Sequence, residues 1–135
     1  MLDLERLRSL ENSEFTQTVI PTDVSLRWSE RYDVELLNLL STSGQMKIVH
    51  SCGHNLISDF ESDSLVSVVS ETSVKHYSPI LMEEELVINI RIVSVSDSAE
   101  VHFSGSVVQL GTEAGAFEFS RKFISVDFFR RAFGA

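Results

Sequence analysis

Three side chains suited to proton transfer stand at Thr42, His50 and His76 in a chain of 135 residues. A threonine hydroxyl beside an imidazole can attack a carbonyl or hold a water that does. Imidazole titrates near neutral pH, so it can take the proton in either case. Thr42 also reads as a helix N-cap, a role worth ~0.5–2 kcal/mol, and the two roles are compatible. His50 and His54 are four apart, one helical turn. Such a pair can share a metal ion, with His76 as a third ligand and one position left open. No carboxylate is spaced to complete that set, so metal is the lesser reading. Cys52, the single cysteine, falls among apolar residues and reads as a small hydrophobe. Arg121 alternates with Phe117, Phe119 and Phe123, so it calls for an acidic partner inside the fold or an anionic ligand.

These residues need elements to position them. Residues 2–11 read as a short charged helix and Glu14–Val24 as a strand broken near Pro21. Tyr32–Leu40 reads as an apolar turn or helix. Thr42-Ser43-Gly44-Gln45 fits the capping-box pattern S/T-x-x-E/Q, in which hydroxyl and amide satisfy reciprocal backbone N–H groups. Beyond it Met46, Val49, Cys52, Gly53, Leu56, Ile57 and Phe60 recur at helical spacing. Thr42 projects near the middle of that stripe and His50 on its flank; Ile48 is out of phase. The period then changes to two. Leu65–His76, Leu86–Val95, Val101–Leu110 and Ala116–Val126 read as strands, with Val66, Val68, Thr72, Val74 and His76 sharing one face of the first. Ser96-Asp97-Ser98 and Gly111-Thr112-Glu113 are turn chemistry. His102 takes the parity opposite Phe103, which points it outward. Arg130 and Arg131 sit in a short aromatic, basic tail.

A chain of 135 residues forms one domain, residues 1–135, with a core of its own. Eleven Lys and Arg against 20 Asp and Glu give a net charge of −9, which argues against a nucleic-acid partner. One cysteine excludes an internal disulfide framework. Met1–Arg8 lacks the apolar segment of a signal peptide, and no run approaches a membrane span, so the expected address is cytoplasmic. Fifteen valines and 21 serines, the serines mostly alternating within strands, suit a sheet with one polar face. A strand, a buried helix and four consecutive strands give an α+β layout, an antiparallel sheet wrapped around one central helix. One helix cannot cover both faces of such a sheet, so a homodimer is expected, with a tetramer as a further step.

Over residues 40–126 the chain resembles the hot-dog fold of the 4-hydroxybenzoyl-CoA thioesterase type, and within it proteins like fluoroacetyl-CoA thioesterase. Leu39-Leu40-Ser41-Thr42-Ser43 enters the long helix as the family's Ser/Thr-Thr step does. Val74-Lys75-His76-Tyr77-Ser78-Pro79 matches its strand that ends in His and runs toward a Pro. Glu113-Ala114-Gly115 with Ser120-Arg121-Lys122 is similar to its last strand with a single Arg. The resemblance implies an acyl-CoA or other acyl thioester hydrolase with its site at a dimer interface. Thr42, His50 and His76 would be catalytic, and Arg121, Ser43 and Gly44 would contact substrate. CoA would enter as part of the substrate, with no cofactor. Two departures stand out. His50 occupies the position of the family's catalytic Glu. Glu83, in Met82-Glu83-Glu84-Glu85, occupies that of a Gly after the Pro. The acid-rich turn and the lost carboxylate favour the rival expectation, a module that binds an acyl or other small ligand without turnover. No Asp–His pair on the helix suits a dehydratase.

Overall fold

A computed structural model describes residues 1–134. The chain runs through α1 (Leu4–Arg8), β1 (Glu14–Val19), a 3-10 turn (Val24–Leu26), α2 (Tyr32–Glu35) and α3 (Thr42–Ile57). A second 3-10 turn (Ser58–Phe60) leads to β2 (Leu65–His76), β3 (Leu86–Val95), β4 (Glu100–Gln109), β5 (Thr112–Ser125) and α4 (Val126–Phe133). The strands form one antiparallel sheet in the order β1-β3-β4-β5-β2. This is the expected α+β layout: a five-stranded sheet curls around α3, and β1 and β2 are its edges. No helix among the described residues is long and apolar enough to cross a membrane.

Alternation along the strands decides what faces α3. Leu86, Ile88, Ile90 and Ile92 of β3 point inward, as do Val101, Phe103 and Val107 of β4 and Phe117, Phe119 and Phe123 of β5, all buried. They meet Val49, Cys52 and Ile57 of α3 in one core. Phe119 stacks between Phe103 and Phe117. Gly53 lets the helix approach that stack: a Cβ there would lie 2.6 Å from Phe119 Cζ. Ile48, out of phase with the main stripe, is buried beside Gln17, Val19 and Leu26, on the β1 side.

The parity expected for β2 holds only in its second half. A bulge between Val69 and Glu71 inserts a residue. Thr72, Val74 and His76 pair with Phe119, Phe117 and Gly115 and share their inward side, whereas Ser67 and Val69, not Val66 and Val68, do so before the bulge. α1 and β1 are shorter than the sequence pattern suggests. Asp3 caps α1 through Arg6 N–H, and Leu7 is fully buried; β1 ends at Val19, before Pro21.

The outward face of the sheet is mixed: Thr16, Asn89, Arg91, Ser104, Ser106 and Glu118 share it with the half-buried Val66, Val68, Val87 and Val108. The exposed apolar residues cluster elsewhere: Val24, Tyr32, Leu36 and Leu37 between β1 and α3, and Phe128 and Phe133 on α4.

Candidate active site

The first turn of α3 is capped one residue earlier than the capping-box pattern implies. Ser41, not Thr42, is the N-cap: its Oγ accepts from Gly44 N–H at 2.9 Å, and it donates to Leu26 O at 2.8 Å. A serine with extended backbone at this step takes the cap and leaves Thr42 as the first helical residue. Its hydroxyl is thereby free of the backbone, and Thr42 Oγ1 lies 2.9 Å from His76 Nδ1. Gln45 does not close a capping box either. It is fully buried and donates from Nε2 to Lys75 O at 3.2 Å, bracing the strand end that carries His76. Gly115, paired with His76 across β2 and β5, makes room for it: a Cβ there would lie 2.3 Å from Gln45 Nε2. The sequence reading missed this support because Gln45 fits a different motif.

Thr42 and His76 sit in a cleft of about 530 Å³ walled by Trp28, Leu39, Tyr77 and Pro79. Trp28 arrives there through its N–H to Leu39 O, 2.8 Å, and Leu40 N–H binds Ile80 O, also at 2.8 Å. Nothing local in the sequence marks Trp28 or Tyr77 as cleft residues, since the bridges that place them join distant segments. His76 Nε2 is buried and has no partner among the described residues. For His76 to accept a proton from Thr42, the hydroxyl donates to Nδ1 and Nε2 keeps its hydrogen.

The other candidates lie along the same helix but apart from this pair. His50 Nε2 bonds Thr72 Oγ1 at 2.8 Å, and its ring meets the Phe119 ring edge-on, 4.9 Å between centroids. Burial, then the Arg121 charge, lowers its pKa from 6.5. Thr72 precedes His76 by four residues, ~13 Å along an extended strand, so His50 does not touch His76 within one chain. His54 binds Glu61 Oε1, and Glu61 Oε2 accepts Ser67 N–H at 2.7 Å. The three histidines thus hold three separate partners. No group of three or more His, Cys, Asp or Glu converges on a metal position among the described residues.

Among the described residues Arg121 forms no ion pair with an acidic side chain and does not reach the Thr42–His76 pair. Its guanidinium donates to Ser67 Oγ and Ser67 O at 3.0 Å each and to His50 O at 3.3 Å. Ser43 lies at the mouth of the cleft, with its Oγ 3.1 Å from that of Ser41. Gly44 is buried with its N–H given to the cap, and a Cβ there would meet Leu26 O at 2.5 Å, so it serves packing and offers no donor to a ligand. Cys52 is buried, its thiol pushed up to about 11 by burial. His102 is on the outward face with Nδ1 3.0 Å from Ser120 Oγ.

No protein-family model matches the chain, and no curated protein matches it. Solved structures do. A hot-dog-like protein from Thermanaerovibrio acidaminovorans superposes with a TM-score of 0.81 at 14% identity, covering 97% of this chain and 94% of that one. A thioesterase superfamily member from Thermus thermophilus gives 0.76 at 14% identity, with 91% and 89% covered. The fluoroacetyl-CoA thioesterase FlK gives 0.74 at 12% identity, with 90% and 93% covered. The fold is therefore the hot-dog fold, as the resemblance over 40–126 implied, and it extends over nearly the whole chain.

Proposed function

We propose that the protein hydrolyses an acyl thioester, with Thr42 and His76 as the catalytic pair. The observation that carries this is the 2.9 Å contact between Thr42 Oγ1 and His76 Nδ1 at the start of α3, inside a cleft of small-ligand size. A hydroxyl, from Thr42 or from a water that Thr42 holds, attacks the thioester carbonyl while its proton passes to His76 Nδ1. Negative charge grows on the carbonyl oxygen beside the first turn of α3. There the N–H groups of Thr42 and Ser43 have no helical acceptor and the helix dipole favours an anion. The C–S bond then breaks and the thiolate leaves with a proton. If Thr42 itself attacks, water releases the acyl group in a second round.

His50 enters this scheme only through a second copy. β2 is an edge strand of 12 residues, a feature that invites pairing. Two copies paired antiparallel through it would lay their α3 helices side by side in opposite directions. With the two-fold axis near Met46, His50 of the second copy comes beside Thr42, since both lie four residues from that point. The hydrolase then works as a homodimer with shared sites, and His50 orients His76 or protonates the departing thiolate.

One observation favours a second reading, a module that holds an acyl ligand without turnover. No carboxylate contacts His76 among the described residues.

The deciding measurement is thiol release from a panel of short, long and aromatic acyl-CoAs, with His76→Ala as control. The hydrolase reading expects release that falls at least 100-fold in the folded variant. Undiminished release by His76→Ala would overturn the assignment. Thermal stabilisation by an acyl-CoA without thiol release would establish the binding module.

A further inference from the structure

Two of the buried side-chain atoms that lack a hydrogen-bond partner among the described residues lie near the start of α3: Gln45 Oε1 and His76 Nε2. Buried polar atoms are costly to leave alone, and nearly all are satisfied by protein or by ordered water. These two are complementary. The Gln45 amide has one workable orientation. Its Nε2 donates to Lys75 O at 3.2 Å, and reversing the amide would set two oxygens against each other. Gln45 Oε1 is therefore an acceptor that needs a donor. When Thr42 Oγ1 donates to His76 Nδ1, the imidazole carries its hydrogen on Nε2, a donor that needs an acceptor.

The two residues are also neighbours. Gln45 follows Thr42 by three positions, so both side chains leave one face of α3. Thr42 meets the His76 ring itself, 2.9 Å from Nδ1. Gln45 meets the backbone on two sides of that ring. Lys75 O belongs to the peptide bond leading into His76, and Gly115 is the register partner of His76. A Cβ on Gly115 would lie 3.1 Å from Gln45 Cδ, so the amide rests on that glycine. Gln45 has no accessible surface, so bulk solvent does not reach its oxygen.

We infer that Gln45 Oε1 is the acceptor for His76 Nε2–H, with one ordered water joining them. Gln45 is thereby a positioning residue. It fixes the tautomer in which Nδ1 is free to take a proton from the hydroxyl. A catalytic imidazole needs such an orienting partner, and here a neutral amide supplies it without adding charge to the cleft. His50 of the second copy is then left with protonation of the thiolate. The catalytic consequence rests on the hydrolase reading; the hydrogen bond does not.

The contact is tested first in the unaltered protein. A crystal structure should show an ordered water on both His76 Nε2 and Gln45 Oε1, or the amide oxygen itself on Nε2. A different acceptor on Nε2, or none, overturns the inference. Tautomers are then read from nitrogen–proton correlation spectra of protein labelled with nitrogen-15 histidine, at pH ~8 where the ring is neutral. The His76 signals are those lost in His76→Ala. The unaltered protein should hold His76 in the Nε2–H form. In Gln45→Leu the buried Nε2–H loses its acceptor, and the Nδ1–H form, donating to Thr42 Oγ1, should appear. Gln45→Glu keeps an oxygen in place, ionised or not, and should keep the Nε2–H form. Thermal melts confirm folding; if Gln45→Leu does not fold, the crystal structure decides. An unchanged tautomer in folded Gln45→Leu overturns the inference. For hydrolysis, Gln45→Leu should lower kcat at least ~10-fold with KM within about twofold, and Gln45→Glu should restore most of the rate. Equal losses in the two variants would reduce Gln45 to a brace for Lys75 O and overturn its positioning role. A tautomer that depends on Gln45, in a protein that releases no thiol from any acyl-CoA, would keep the contact and refute the hydrolase.

Discussion

At the scale of single residues, the site depends on which hydroxyl the helix start leaves free. Ser41 takes the cap and Thr42 is released to His76. Thr42→Ala should therefore cost hydrolysis far more than stability, and Thr42→Ser should retain part of the activity. Steady-state rates and melting curves of the two variants check this. His50 gives a pH signature. Burial and Arg121 depress its folded pKa below 6.5, so the unfolded chain binds the proton more readily. The resulting stability is fully present above 6.5 and is lost as the pH falls through the lower folded value. Urea midpoints measured from pH ~8 to ~5 should fall more steeply in the wild type than in His50→Gln; parallel curves would refute the shift. Glu83 has φ +66°, in the left-handed region that favours glycine. Glu83→Gly should stabilise the fold by about 0.5–1 kcal/mol, read from the same urea curves.

At the scale of elements, α3 is held at both its start and its middle by close approach. Ser41→Ala removes the hydrogen bond to Gly44 N–H and should cost ~1 kcal/mol, whereas a cap at Thr42 would have made Thr42→Ala the costly change. Denaturant unfolding of the pair separates the two assignments. Gly53→Ala drives a methyl group into the buried Phe119 ring and should cost ~1–3 kcal/mol. β2 has a different role, because its bulge turns Thr72, Val74 and His76 inward together. That twist joins His50 to Thr72 and His76 to Thr42 on one strand face. The helix and the four long strands were legible from periodicity, since their buried faces repeat without interruption. The bulge was not, because one inserted residue leaves no mark in a run of valines and serines.

At the scale of the whole molecule, His50 and His76 stand apart within one chain, so the proposed role of His50 requires a second copy. If shared sites form across β2 edges, the protein sediments as a dimer at micromolar concentration. Mixing inactive His76→Ala and His50→Ala chains under exchange conditions should then recover activity, because a mixed dimer holds one intact site. A monomer mass, or no recovery in verified mixed dimers, would exclude the arrangement. The open β2 edge agrees with pairing edge to edge.

By itself the sequence determined the layout, because alternation and helical spacing report what is buried locally. It also singled out Thr42 and His76, since a hydroxyl at a helix start and an imidazole at a strand end are visible in residue type and position. Only the tertiary structure decided that Ser41 caps the helix, that Gln45 braces the strand, and that Arg121 is held by Ser67 and the His50 carbonyl. Each of these contacts joins residues whose separation along the chain carries no periodic signal. They depend on how closely α3 approaches β2 and β5, and packing of the whole core sets that distance.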